Sequence, residues 1–193
     1  MELHEDGWVY DGQACDRLWN KSAIGRPVEE RGLLLTPAEV IFCHDHRHID
    51  WPSANWLQEA IEESPRLLDE AVVIESLRVP GNRLVVHQNF EALGLVYANS
   101  TWGLRWTSDG HPRSGNPVSE VRWFHSGEHL DINDLYTWSE RVTSSGRIPE
   151  VLVVDDEHAV VTYRVAGVEP QGMMGGFKAV SYTHLTLPTI LLV

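Results

Sequence analysis

At 193 residues, with 42% hydrophobic and 22% charged side chains, the chain has the length and composition of one ordinary folded domain or two small ones, not of a disordered segment. A formal net charge of −13 with only two lysines, Lys21 and Lys178, excludes a uniformly basic surface gripping nucleic-acid phosphates. It suits a salt-tolerant cytoplasm or a positively charged partner. Two cysteines, Cys15 and Cys43, are too few for a disulfide framework. With no leader-like start and no apolar run near ~20 residues, the expectation is a cytoplasmic protein, neither exported nor membrane-spanning.

Gly7 to Tyr10 suits a first strand, closed by the turn signal Asp11-Gly12. Ala14, Leu18 and Lys21 stand at helical spacing and predict a helix over 13–21, with Asp11 as its cap. Ile24-Gly25-Arg26-Pro27 interrupts it, and Leu33-Leu34-Leu35 predicts a second strand. Thr36-Pro37-Ala38-Glu39 is a helix start with a mechanism: Thr36 caps, Pro37 sits where its missing N–H costs nothing, and Glu39 closes a capping box. Val40, Ile41 and His44 continue its buried face. Ser53 is expected to cap a helix that turns Trp56, Leu57, Ala60 and Ile61 inward and stops at Pro65. Leu67 to Leu77 forms another.

Pro80-Gly81-Asn82 punctuates the chain and divides a small α/β unit, 1–79, from a second unit, 84–168. Leu84 to Leu93 predicts a helix with Leu84, Val85, Phe90 and Leu93 inward and Gly94 as its stop. Leu95 to Tyr97 and Trp102 to Thr107 predict strands, Ser108 to Pro117 a loop, and Val118 to Phe124 another strand. Asp131 to Val142 predicts a helix with Ile132, Leu135, Tyr136 and Val142 on one side. Val151 to Val154 is a continuous apolar run, as in strands covered on both faces, and Ala159 to Val165 returns rich in β-branched residues. Between them Asp155, Asp156, Glu157 and His158 make an acidic turn on a rigid mount, for which an ordinary solvated hairpin is the simpler reading. Irregular alternation of strands and helices predicts an α+β (mixed α/β) fold. From Gln171 the chain becomes rich in Gly and Met, and Val180 to Val193 resembles translated cloning adapter. Residues 171–193 are therefore set apart as linker and tail.

Few motifs point to chemistry. Cys43, His44, His46 and His48 are the densest group of ligand-type side chains, but they crowd one helix end, where adjacent side chains diverge. His44 and His48 alone lie one turn apart, and a His-bearing helix C-terminus explains them without a metal. There is no nucleophile elbow, no P-loop and no G-x-G-x-x-G, so neither a metal nor another cofactor is expected. Trp102, Trp106 and Trp123 suit base stacking, yet without nearby lysines they read better as packing residues in sheets.

In order, these segments resemble the archaeal tRNA-intron splicing endonucleases. Ile24-Gly25-Arg26-Pro27 followed by Leu33-Leu34-Leu35-Thr36-Pro37-Ala38-Glu39-Val40 is similar to that family's N-terminal signature. Phe90-Glu91-Ala92-Leu93-Gly94-Leu95-Val96 is similar to its helix-to-strand passage, Trp102-Gly103 stands where it has Phe-Gly, and Val151 to Tyr163 is similar to its closing hairpin. The resemblance spans most of residues 7–166 and rests on the order of the set.

It implies an N-terminal α/β domain and a nuclease-like mixed sheet flanked by helices. It also implies metal-free cleavage of precursor tRNA at a bulge-helix-bulge by a Tyr base, a His acid and a charge-stabilising Lys, giving a 2′,3′-cyclic phosphate. The Tyr position falls near Ser108 and Asp109, the His position near Asn116, and the Lys position near Arg147 and Ile148. No lysine lies between Lys21 and Lys178. The resemblance therefore implies no catalytic residue here, but a structural copy of an oligomeric endonuclease. Its acidic loop, Asp155, Asp156 and Glu157, would dock on a catalytic repeat or subunit that acts on precursor tRNA. An active copy with displaced groups drawn from His111, His125 and Tyr136 is the first alternative, and a His/Cys metal-binding module the second.

Overall fold

The structure is a computed structural model and describes residues 1–5, 7–28, 32–168 and 182–186. The described residues combine five α-helices with one antiparallel and one mixed sheet, making an α+β fold. The first sheet is antiparallel in the order β1 (Glu2–His4), β2 (Gly7–Tyr10), β4 (Gly32–Leu35), β3 (Arg26–Val28). Pro27, which cannot donate to a ladder, is confined to its edge. Between β2 and β3 runs α1 (Cys15–Ser22), and after β4 come α2 (Pro37–Arg47), α3 (Trp56–Glu63) and α4 (Leu67–Arg78).

The second sheet has the order β10 (Tyr182–Thr186), β9 (Val160–Val168), β8 (Ile148–Val154), β7 (Ser119–His125), β6 (Gly103–Trp106), β5 (Arg83–Val86). Its one parallel pair, β7 with β8, is joined by the crossover helix α5 (Ile132–Ser144); parallel neighbours need such a crossover. The apolar run of β8 is thereby explained residue by residue. Val151 packs with Leu135, Trp138 and Val142 of α5, while Leu152 and Val154 face the other way, into the cluster that holds Val73, Ile74 and Leu77 of α4. Both faces are covered, so alternation is lost.

The chain divides into two sheets at Pro80-Gly81-Asn82, but the core does not divide there. Leu18, Leu35, Phe42 and Ile74 belong to the same buried cluster as Leu84, Val86, Val121 and Leu152. Two buried polar groups bind the halves further. Glu39 accepts from the Gly25 N–H at 2.8 Å and the Thr36 N–H at 3.2 Å, and pairs with Arg78 at 3.3 Å. Arg78 donates to Ser22 O, Ala23 O and Leu84 O at 2.7, 3.0 and 2.6 Å, reaching α1 and β5 from the end of α4.

The capping box at Thr36 and Glu39 forms as expected. Several other expectations are corrected. Neither Asp11 nor Ser53 caps a helix through its side chain: α1 starts after Ala14 and α3 after Asn55, without side-chain caps. No helix forms over Leu84–Leu93, where β5 is followed by a single 3-10 turn over His87–Asn89. Period two decides this. Leu84 and Val86 enter the main cluster, whereas Val85 meets Phe90, Leu104 and Trp106 on the opposite face. Gly94 does close the following turns, at φ 62°. Leu95–Tyr97 is irregular rather than extended, with Val96 77% and Tyr97 43% exposed. On α5, Leu135 and Val142 are buried but Ile132 and Tyr136 are exposed, and Trp138 and Ser139 complete the inward face. The tail lies outside the described residues except for Tyr182–Thr186, which pairs along β9.

A half-buried acid gives a pH prediction. Glu70 on α4 accepts from the Trp102 indole N–H at 3.1 Å, and burial pushes its carboxyl above the ordinary range despite that bond. A carboxyl that holds its proton more tightly when folded costs stability as pH rises above its unfolded value. Glu70→Gln keeps the acceptor and removes the charge. Its melting temperature should exceed wild type by a few degrees at about pH 8, with the gap closing below about pH 4. Equal melting at both pH values would contradict the buried-charge assignment.

Candidate functional site

Two features of the second sheet bear on function, and the register of β7 places them at opposite ends. At one end lie the 107–118 loop and Arg147: Val118 donates to Arg105 O and Ile148 to Val118 O, which brings the starts of β7 and β8 beside the end of β6. At the other end His125 closes β7 beside Val154, where the acidic turn begins. Seven residues of strand separate the ends, about 20 Å at ~3.3 Å per residue.

The acidic turn is a closed structure with unequal members. Asp155 is half-buried, and its carboxylate accepts from the backbone N–H groups of Glu157 and Ala159 at 3.0 and 2.8 Å. His158 adopts φ 59° to complete the turn. Asp155 therefore shapes the loop, as Asp side chains do in such turns. Asp156, 92% exposed, and Glu157 form the tip. Contacts on either flank hold it: His125 Nε2 lies 3.3 Å from Asp156, and His158 Nδ1 lies 3.2 Å from Asp69 of α4. Asp69 also accepts from Arg66, which in turn reaches Glu128 at 2.8 Å. The tip is a pair of solvent-facing carboxylates on a braced hairpin.

At the other end, among the described residues, no general base, acid and cation assemble. Ser108, Asp109 and Asn116 occupy the 107–118 loop, and Asp109 accepts from the Thr107 hydroxyl, a contact that holds its carboxyl below the ordinary range. Arg147 is engaged: it donates to Glu120 and to Val96 O, both at 2.7 Å. Glu120 is 1% exposed, also accepts from Ala98 N–H and the Thr101 hydroxyl, and so pins the 95–101 segment to β7. Local sequence carries no signal for this network, whose members lie up to 51 residues apart.

The displaced candidates do not converge either. His111, in the 107–118 loop, contacts Trp19 O at 3.0 Å, whereas His125 is at the far end of β7. Tyr136 is an exposed residue of α5 whose phenol is pushed up by its hydrogen bond to Glu140, opposite to what a base requires. The His/Cys group also disperses. Cys43 is buried, with its thiol pushed up to about 12 by burial, His44 meets Ile49 O and stacks on Trp51, and His46 meets Glu75. Among the described residues no three His, Cys, Asp or Glu side chains converge as metal ligands would. Trp106 is 1% exposed, and Trp102 and Trp123 pack edge to face at 6.4 Å, so these rings belong to the packing. No described helix is long and apolar enough to cross a membrane.

Neither a family model nor any curated protein matches the chain.

Proposed function

We propose that this chain is a structural, non-catalytic half of a tRNA-splicing endonuclease that cleaves precursor tRNA at bulge-helix-bulge introns. It holds a catalytic repeat or subunit in place through its acidic turn, and the assembly works as an oligomer in the cytoplasm. The observation that carries this reading is the pair Asp156 and Glu157, presented to solvent on a turn braced from both flanks. Such a fixed negative prong orients a basic partner and raises its association rate. Arg147 gives further support: the cation at the position where the family's catalysis needs a free ammonium is already neutralised by Glu120.

The test uses the full chain, alone and co-expressed with a catalytic tRNA-intron endonuclease repeat. Alone, it should not cleave a bulge-helix-bulge RNA; appreciable turnover would reject the scaffold role. With the partner it should co-elute. Asp156→Lys combined with Glu157→Lys should weaken that assembly by about tenfold or more while leaving the thermal melt unchanged. Asp155 stays in place because its carboxylate forms the turn. Undiminished assembly of the charge-reversed chain would reject the docking role.

A further inference from the structure

On this strongly acidic chain, four of the fifteen basic residues line one small cleft. Lys21 comes from the end of α1, Arg47 from the end of α2, Arg78 from the end of α4, and Arg83 opens β5. Ser22, Gly81 and Asn82 complete the wall, and the cleft encloses about 60 Å³. Three helices thus end at one point. Helix C-termini favour cations, which accounts for one basic residue at each end but not for their convergence.

Among the described residues Glu39 is the one carboxylate that forms an ion pair with the group; Asp11 and Asp50 line an adjoining cleft with Arg47 but form none with it. Glu39 pairs with Arg78, and Asp109 acts on Arg83 only from a distance, its own hydrogen bond being to Thr107. Among the described residues the Lys21 ammonium has no acceptor. Arg47 donates to His46 O and lies over the Phe42 ring, as Arg78 does, at 5.4 and 5.7 Å. Arg83 donates to Lys21 O and Gly110 O, so its carbonyl partners leave its charge uncompensated. Arg78 is a buried wall of the cleft, its charge already met by Glu39. Its side chain is 2% exposed, yet its buried Nε–H meets no acceptor. Burial pushes its guanidinium below the ordinary range; Glu39 opposes the shift and the neighbouring Arg47 adds to it. The charge open to a ligand is therefore that of Lys21, Arg47 and Arg83, whose hydrogen bonds, where they have any, go to backbone carbonyls and leave positive charge for an anion in the cleft.

We infer that the cleft formed by Lys21, Arg47, Arg78 and Arg83 is a binding site for one phosphate group. The volume admits a phosphate but not a nucleoside, and forked guanidinium donors with an ammonium suit its oxygens. The inference does not rest on the endonuclease reading, since the cleft shares no residue with the acidic turn.

The experiment is calorimetric titration of the full chain with inorganic phosphate at low ionic strength. One saturable site is expected, with a dissociation constant at or below about 1 mM. Lys21→Gln with Arg47→Gln should weaken it about tenfold or more. Lys21→Gln alone, at an exposed position outside the core, keeps the test valid if the double variant melts early; it should still weaken binding several-fold. No saturable heat from the wild type, or affinity unchanged in a folded variant, would overturn the site. Oligouridylate identifies the source of the phosphate. A parallel loss of its binding in the variants points to an RNA backbone, whereas loss confined to inorganic phosphate points to a free or small-molecule phosphate.

Discussion

Replacing Glu39 by leucine is expected to destabilise the fold by about 3–5 kcal/mol, a large part of the ~5–15 kcal/mol that holds a typical domain together. The carboxylate is fully buried and pairs with Arg78 while accepting from the Gly25 and Thr36 N–H groups. Removing it leaves a guanidinium without its counter-charge and two buried donors unmet. The loss should exceed that of an ordinary core substitution because Arg78 joins α1, α2 and β5 at once. Denaturant unfolding measures it. Glu39→Leu combined with Arg78→Met should cost less than the sum of the two single changes, because the double variant buries no unpaired charge. A loss under about 1 kcal/mol for Glu39→Leu, or strict additivity, would show that the pair does not join the halves.

Trp106→Ala is expected to cost about 3–5 kcal/mol and to release the 107–118 loop. The indole is 1% exposed, packs with Val85, Phe90 and Leu104, and donates to Gly115 O at 2.9 Å. Gly110 lies so close over it that an added Cβ would come within 3.2 Å of the ring. The loop is thus wrapped on a single side chain, with further anchors where His111 meets Trp19 O and Arg113 meets Asn20. Trp106→Phe keeps most of the bulk and loses the N–H, at a cost nearer ~1 kcal/mol. Limited trypsin digestion after Arg113 should accelerate strongly in Trp106→Ala and slightly in Trp106→Phe. Unchanged cleavage in Trp106→Ala would mean that the loop is held by other contacts.

These two sites show why the sequence was legible in some places and opaque in others. Thr36, Pro37 and Glu39 specify their helix start through bonds spanning three residues, so the capping box could be read directly. The second role of Glu39, as counter-charge to Arg78 39 residues away, has no local mark. Leu84-Val85-Val86 suits a helix face or a two-sided strand equally well, and only the presence of β6 beside it selects the strand. The acidic turn stood out as three carboxylates between apolar runs, but the division of labour between Asp155 and the exposed pair depended on backbone geometry.

By itself, then, the sequence determined the α+β class, the positions of the five described α-helices though with a sixth at 84–93 that does not form, the closing hairpin and its acidic tip, because hydrophobic period and turn chemistry act over a few residues. Only the tertiary structure decided that one core serves both sheets, that Arg147 is neutralised by Glu120, and that Lys21, Arg47, Arg78 and Arg83 meet in one cleft. Each of those facts is a contact between distant parts of the chain. Charge acts through space, and a single sequence records where charges lie along the chain but not which of them meet.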